Sequence, residues 1–260
     1  MEITEIKKTV KKAYTKVLTE RGSGCCGTDC CSNGDNMAED YTKLDGYVAD
    51  ADYGLGCGIP TEFANIKEGD TVLDLGSGAG NDVFIAAKTV GVKGKVIGLD
   101  MTEAMIEKAN ANKDKLGISN VVFRFGEIEE MPVENDSVDV VLSNCVLNLV
   151  PDKSKAFGEI HRVLKNGGHF TISDIVISGD LPGNVKQAAE MYAGCVAGAM
   201  EKKDYIDAIK AAGFKEVKVL KEKTIEISDE SMLKFVSDNE LKDYKDSGRK
   251  ILSITVYGIK

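Results

Sequence analysis

The sequence contains no apolar run long enough to span a bilayer, and it opens on "MEITEIKKTVKKAYTKVLTE", charged and amphipathic, without the apolar centre of a signal peptide. These absences lead to the expectation of a cytoplasmic chain with no membrane partner. A block of basic residues is missing too, and the net charge is -9. An acidic surface argues against nucleic acid and against anionic lipid. Four prolines are too few for a disordered hinge, and no internal repeat or long linker divides the 260 residues. The length suits one α/β domain with additions, and a small molecule is the expected partner. Histidine is scarce as well, with only His161 and His169 available as imidazole bases.

What the chain does have, from Asp70 onward, is an alternation of short β-branched runs with helix-like segments carrying charged faces. This is the mark of a doubly wound, Rossmann-like α/β sheet. Strands are predicted over 71–76, 95–100, 121–127, 138–144 and 169–176, with helices over 81–90 and 102–117 and another in "KAFGEIHRVLKNGG". Segments 214–222 and 251–259 then close a seven-stranded, mostly parallel sheet with one antiparallel strand.

Between the first strand and its helix lies "DLGSGAGND", with Gly76, Gly78 and Gly80 where the backbone must turn sharply beside a ligand at the helix N-terminus. Asp100 ends the second strand, where a carboxylate accepts both hydroxyls of a ribose. The glycine spacing is G-x-G-x-G, not the dinucleotide G-x-G-x-x-G, and Asp74 precedes it, suited to a ligand with an ammonium group. S-adenosylmethionine has such a group and NAD does not. Glu127 after the third strand is placed to accept from the adenine amino group, and Met101, Ile128 and Asn144 are expected in the same site. Over roughly residues 66–178 the chain resembles the class I S-adenosylmethionine-dependent methyltransferases. The expected organisation is an N-terminal helix and cysteine-bearing arm over 1–55, an S-adenosylmethionine-binding domain over 56–178, and a substrate-side segment with sheet-closing strands over 179–260.

The methyl acceptor is the harder question. A base is needed for most oxygen and nitrogen acceptors, and His161, His169 and Asp174 are weak candidates. Cysteines are better placed: Cys145 in "SNCVLNL" directly after the fourth strand, Cys57 in "YGLGCGIP" with flanking glycines expected to leave its sulfur uncovered, and Cys195 among small residues in "MYAGCVAGAM". Singly each could be a small buried hydrophobe. Together they suggest three thiolates for a soft, thiophilic centre.

The segments "YGLGCGIP", "DLGSGAGNDVF", "SNCVLNL", "MYAGCVAGA" and "SITVYGIK" resemble the arsenite S-adenosylmethionine methyltransferases. The resemblance implies that Cys145 and Cys195 hold As(III), delivered as a thiol adduct, and that Cys57 is the third ligand and redox partner. It implies an N-terminal cysteine able to pair with Cys57, for which Cys25, Cys26, Cys30 and Cys31 compete, and a thiol reductant, thioredoxin or glutathione. Two other readings remain at this stage: a methyltransferase for a quinone or sterol-like carbon, and a metalloid or zinc sensor using "CCGTDCC". The vicinal pairs in that run do not follow the C-x-x-C spacing of common zinc sites.

Overall fold

The central runs of the sequence are apolar on both faces because helices cover both sides of the sheet they build. In the computed structural model, residues 3–19, 39–179, 198–226, 228–233 and 236–260 are described. The arm with Cys25, Cys26, Cys30 and Cys31, and the segment with Cys195, lie outside them.

Five strands, β1 (Thr71–Leu75), β2 (Lys95–Asp100), β3 (Val121–Phe125), β4 (Val138–Asn144) and β5 (Leu164–Ser178), pair in parallel. A two-residue β6 (Met200–Glu201) lies beside β5, and β7 (Lys215–Ile225) and β8 (Lys250–Ile259) complete the sheet. The order is β3-β2-β1-β4-β5-β8-β7, with β8 antiparallel to both neighbours. The seven-stranded, mostly parallel sheet is therefore present, with β6 as a short addition.

Helix α1 (Ile3–Thr19) precedes the sheet, and α2 (Asn81–Val90), α3 (Glu103–Leu116) and α4 (Lys153–Val163) connect its parallel strands. After β6 come α5 (Lys202–Ala211), α6 (Asp229–Met232) and α7 (Asp238–Asp246). Strand alternation sorts the core. Val72, Val96 and Leu142 pack with Val83, Phe84 and Ala109 of α2 and α3, whereas Leu73, Leu75 and Ile172 pack with Phe157, Ile160 and Tyr205 of α4 and α5. A third cluster, with Val10 of α1, Cys57, Cys145 and Ile175, lies at the carboxyl end of β4 and β5.

Element ends differ from expectation for identifiable reasons. β1 stops at Leu75 because Gly76 takes φ +63°. α4 ends at Val163, and β5 begins at Leu164, which is already extended and pairs with Val138. Lys165 donates to both carboxylate oxygens of Asp139 at 2.8 and 2.7 Å, which holds "LKNGG" against β4 through a bulge. A run that reads as the end of a helix is thus the irregular start of a strand.

Candidate active site

Chain order reverses between β1 and β4, so their carboxyl ends open a crevice, the usual ligand position of a doubly wound sheet. The glycine loop enters it. A Cβ on Gly76 would lie 2.5 Å from the Val146 side chain, so only glycine lets the loop cross the end of β4. The Gly78 N–H donates to Asp100 Oδ2 at 2.9 Å and the Thr102 N–H to Oδ1 at 2.7 Å, which pins this carboxylate at the centre of the crevice. Burial pushes the Asp100 pKa up, against those two N–H groups that lower it.

The crevice has two ends that share Tyr14, Gly76, Asp100 and Val146. One, about 580 Å³, is mainly apolar, with Leu99, Met101, Ile128, Leu149 and Val150 in its wall and Lys7 and Val10 of α1 across it. The other, about 690 Å³, is lined by Glu39, Asp52, Asp74, Asp82 and Asp100 and, among the described residues, by no Lys or Arg. Burial raises Asp74 well above the carboxylate range, with Asp82 and Asp100 adding like-charge repulsion. Burial likewise brings Asp82 up to about 6, against hydrogen bonds from Asn144 and Tyr41. Such an end favours a cation and repels a pyrophosphate. An apolar slot, a central acid and a cation-seeking end suit adenosine, ribose and an amino-acid sulfonium, and Asn81 Oδ1 in the acidic wall is buried without a hydrogen-bond partner.

Of the residues expected at the cofactor, Asp74, Gly76, Gly78, Asp100 and Asn144 line the acidic end, and Met101 and Ile128 the apolar one. Gly80 caps α2 beneath the loop. The Glu127 carboxylate takes Lys7 Nζ at 2.7 Å, and Glu129, 3.0 Å from the same amine, lines the cavity. The Glu127–Glu130 bridge turns the chain after β3.

Under the cleft lie two cysteines from distant segments. Cys57 is 1% exposed and Cys145 3%, and their sulfurs and an Asp174 carboxylate oxygen all lie within 4.8 Å of one another. Cys145 is held at φ +58°, its N–H donating to Ser173 O at 2.7 Å. A non-glycine residue in that region carries strain, which here aims a side chain off the end of β4. The expectation that glycines leave Cys57 uncovered is reversed. Gly56 and Gly58 let the loop lie flat on the strand ends, since Cβ atoms there would sit 2.6 Å from Asn144 Nδ2 and Ser173 Oγ, and the sulfur is buried. The Ser253 hydroxyl donates to Cys57 O at 2.5 Å, and the Cys57 N–H donates to Asn144 Oδ1 at 3.0 Å.

Asn144 joins the two halves. Its amide also donates to the Tyr41 hydroxyl at 2.6 Å and Gly58 O at 2.9 Å and reaches Asp82 at 3.2 Å. Behind the thiols, the Tyr205 hydroxyl donates to Asp174 Oδ2 at 3.0 Å and the Ile175 N–H to Oδ1 at 3.0 Å. Burial raises Asp174 to about 7, against the Ile175 N–H, the Lys153 charge and the Tyr205 hydrogen bond.

Sequence reading missed Tyr41, Asp82, Glu129, Tyr205 and the α1 residues. Lys7, Val10 and Tyr14 follow helical spacing, so their shared face was readable, and Asp82 follows the glycine loop directly. Tyr41 and Tyr205 carry no local signal. The histidines stand apart: His161 packs on Phe214, and His169 Nε2 contacts Ala64 O at 2.6 Å.

The sheet order and cleft define an S-adenosylmethionine-dependent methyltransferase, and residues 66–222 match the methyltransferase domain family. Within it, the chain belongs to the arsenite methyltransferases. It is 41% identical to arsenite methyltransferase of Halobacterium salinarum, covering 97% of this chain and 66% of that one. Against the enzyme of the same name from Aquipseudomonas alcaligenes, identity is 33% over 88% of this chain and 68% of the relative. The crystal structure of an arsenic (III) S-adenosylmethionine methyltransferase from Chlamydomonas reinhardtii superposes with a TM-score of 0.66 at 39% identity, covering 79% of this chain and 67% of that one. The chain thus spans about two thirds of the length of these relatives. Among the described residues no helix is long and apolar enough to cross a membrane.

Proposed function

We propose that this chain methylates trivalent arsenic, detoxifying arsenite, with the acceptor held by Cys57 and Cys145 and, from the segment outside the described residues, Cys195. The observation that carries this reading is the convergence of two buried sulfurs beneath the cleft wall, between Asn144 and Val146, which face the cofactor side. S-adenosylmethionine, when bound, supplies a methyl group on a sulfonium. Asp74 and Asp82 would hold its ammonium end, Asp100 its ribose hydroxyls, and Met101 and Ile128 its adenine. Trivalent arsenic presents a lone pair and no proton, so the absence of a histidine base from the site is expected. Its affinity for thiolates follows from softness. The apolar surroundings of Cys57 and Cys145, which include Leu149 and Ile175, keep water from the acceptor.

Methyl transfer takes arsenic formally from As(III) to As(V). Two thiolates that return two electrons become a disulfide, and a thiol reductant such as thioredoxin or glutathione restores them. One of Cys25, Cys26, Cys30 and Cys31 is assigned to exchange with Cys57, a chemistry that suits a reducing, cytoplasmic setting. Because Cys57 is 1% exposed, its loop must lift for that exchange.

A quinone or sterol-like acceptor would need a wide apolar pocket, where this chain buries two thiols and an acid. Incubation with S-adenosylmethionine, glutathione and arsenite should yield methylated arsenic. Transfer to a quinone with no product from arsenite would overturn the reading.

A further inference from the structure

Trivalent arsenic needs three ligands, and the described residues gather two sulfurs and one oxygen. That oxygen belongs to Asp174, a fully buried acid on β5 whose side chain lies within 4.8 Å of both sulfurs. This separation is roughly twice a metal–thiolate bond of about 2.3 Å, so one soft centre can join both sulfurs and still face the carboxylate. Asp174 takes hydrogen bonds from the Ile175 N–H at Oδ1, from the Tyr205 hydroxyl at Oδ2, and from the Asn148 N–H. A carboxylate has about four acceptor positions. Three are thus used to fix the group, and one is left for what lies on the thiol side.

We propose that Asp174 is an arsenite-specific contact, accepting a hydrogen bond from the one hydroxyl that arsenous acid keeps after its first two exchanges. The inference rests on the arsenite reading above. In the loading step two As–O and two S–H bonds break, two As–S bonds form to Cys57 and Cys145, and two water molecules leave carrying the thiol protons. Arsenic stays trivalent and no oxidant or reductant is consumed. One As–OH remains, and among the described residues Asp174 is an acid clustered with the two sulfurs. Monomethylarsonous acid loads by the same exchange but ends with a methyl group where arsenite keeps its hydroxyl. Asp174 therefore distinguishes the first substrate from the partly methylated one. When a third thiol arrives, the same hydroxyl leaves as water.

The test is equilibrium dialysis of the full chain, without methyl donor, against arsenite and against monomethylarsonous acid, with bound arsenic quantified. Asp174→Ala should weaken arsenite retention about tenfold, as expected for loss of a charge-assisted hydrogen bond, and leave the monomethyl compound within twofold of wild type. Asp174→Asn, which keeps a carbonyl acceptor and the size of the group, should recover part of the arsenite affinity. It also serves where the alanine variant does not fold, since the preference for arsenite should still fall severalfold. Tyr205→Phe removes only the supporting hydrogen bond and should change the preference less than either. Equal weakening of both arsenicals, or of neither, in the Asp174 variants would overturn the proposal. Arsenite retention that survives Cys57→Ser with Cys145→Ser would instead remove the reading on which it rests.

Discussion

The cofactor cleft and the thiol chamber share a wall at Asn144 to Val146, yet they are built on opposite principles. The cleft lies where loops leave parallel strands, and it works by charge: among the described residues five acids line one end and no Lys or Arg does. The chamber is buried, with Cys57 and Cys145 sunk among apolar side chains beside Asp174. A cationic ligand can be drawn to an acidic cleft over a distance. A soft uncharged acceptor cannot, so its site has to be made by close placement of sulfur, and the strained φ of +58° at Cys145 is part of that placement. The first half is the general equipment of a methyl-transferring fold. On the reading proposed above, the second selects what is methylated.

The largest separation of the halves should come from Cys145→Ser. A hydroxyl keeps the shape and is a poor ligand for a soft centre, so arsenite turnover should drop at least a hundredfold while calorimetric affinity for S-adenosylmethionine stays within twofold. A variant retaining half its turnover would take Cys145 out of the acceptor site.

Asp100→Ala is the converse experiment. It removes the carboxylate that Gly78 and Thr102 hold at the centre of the cleft, and cofactor binding should weaken by about 1.5 to 3 kcal/mol. Retention of arsenite should not change. Asn144→Ala should break the separation, because one amide supports both the Cys57 loop and the Tyr41–Asp82 pair. Loss of about 1 to 2 kcal/mol in both affinities is expected. An effect confined to one ligand would show that the two halves are not coupled through this residue.

The smallest effect is a pH dependence. Burial, offset by hydrogen bonds from Asn144 and Tyr41, brings Asp82 to about 6, so below that pH the neutral acid offers no charge to a cationic ligand. Affinity for S-adenosylmethionine should therefore rise severalfold between pH 5 and pH 7, and Asp82→Asn should flatten the step. A wild-type profile that falls over this range would contradict the assignment of the acidic end to the cationic part of the ligand.

The sequence alone determined the sheet and the cofactor motif, because both are local. β-branched runs at regular intervals dictate parallel strands, and a glycine loop, its preceding Asp74 and the later Asp100 lie within one βαβ unit. It also marked Cys57 and Cys145 as unusual. Their meeting was decided only by tertiary structure, since it depends on β4 lying between β1 and β5 and on a loop from before β1 folding flat across the strand ends. The same holds for Asp174 and Tyr205, which strand register and helix packing bring together from two separate elements. The placing of Glu129 at the cavity has a similar cause. A turn after β3 brings Glu129 to the lining, and no spacing rule in the chain fixes the geometry of that turn. Periodicity specifies what an element buries, but only packing specifies which distant side chain it is buried against.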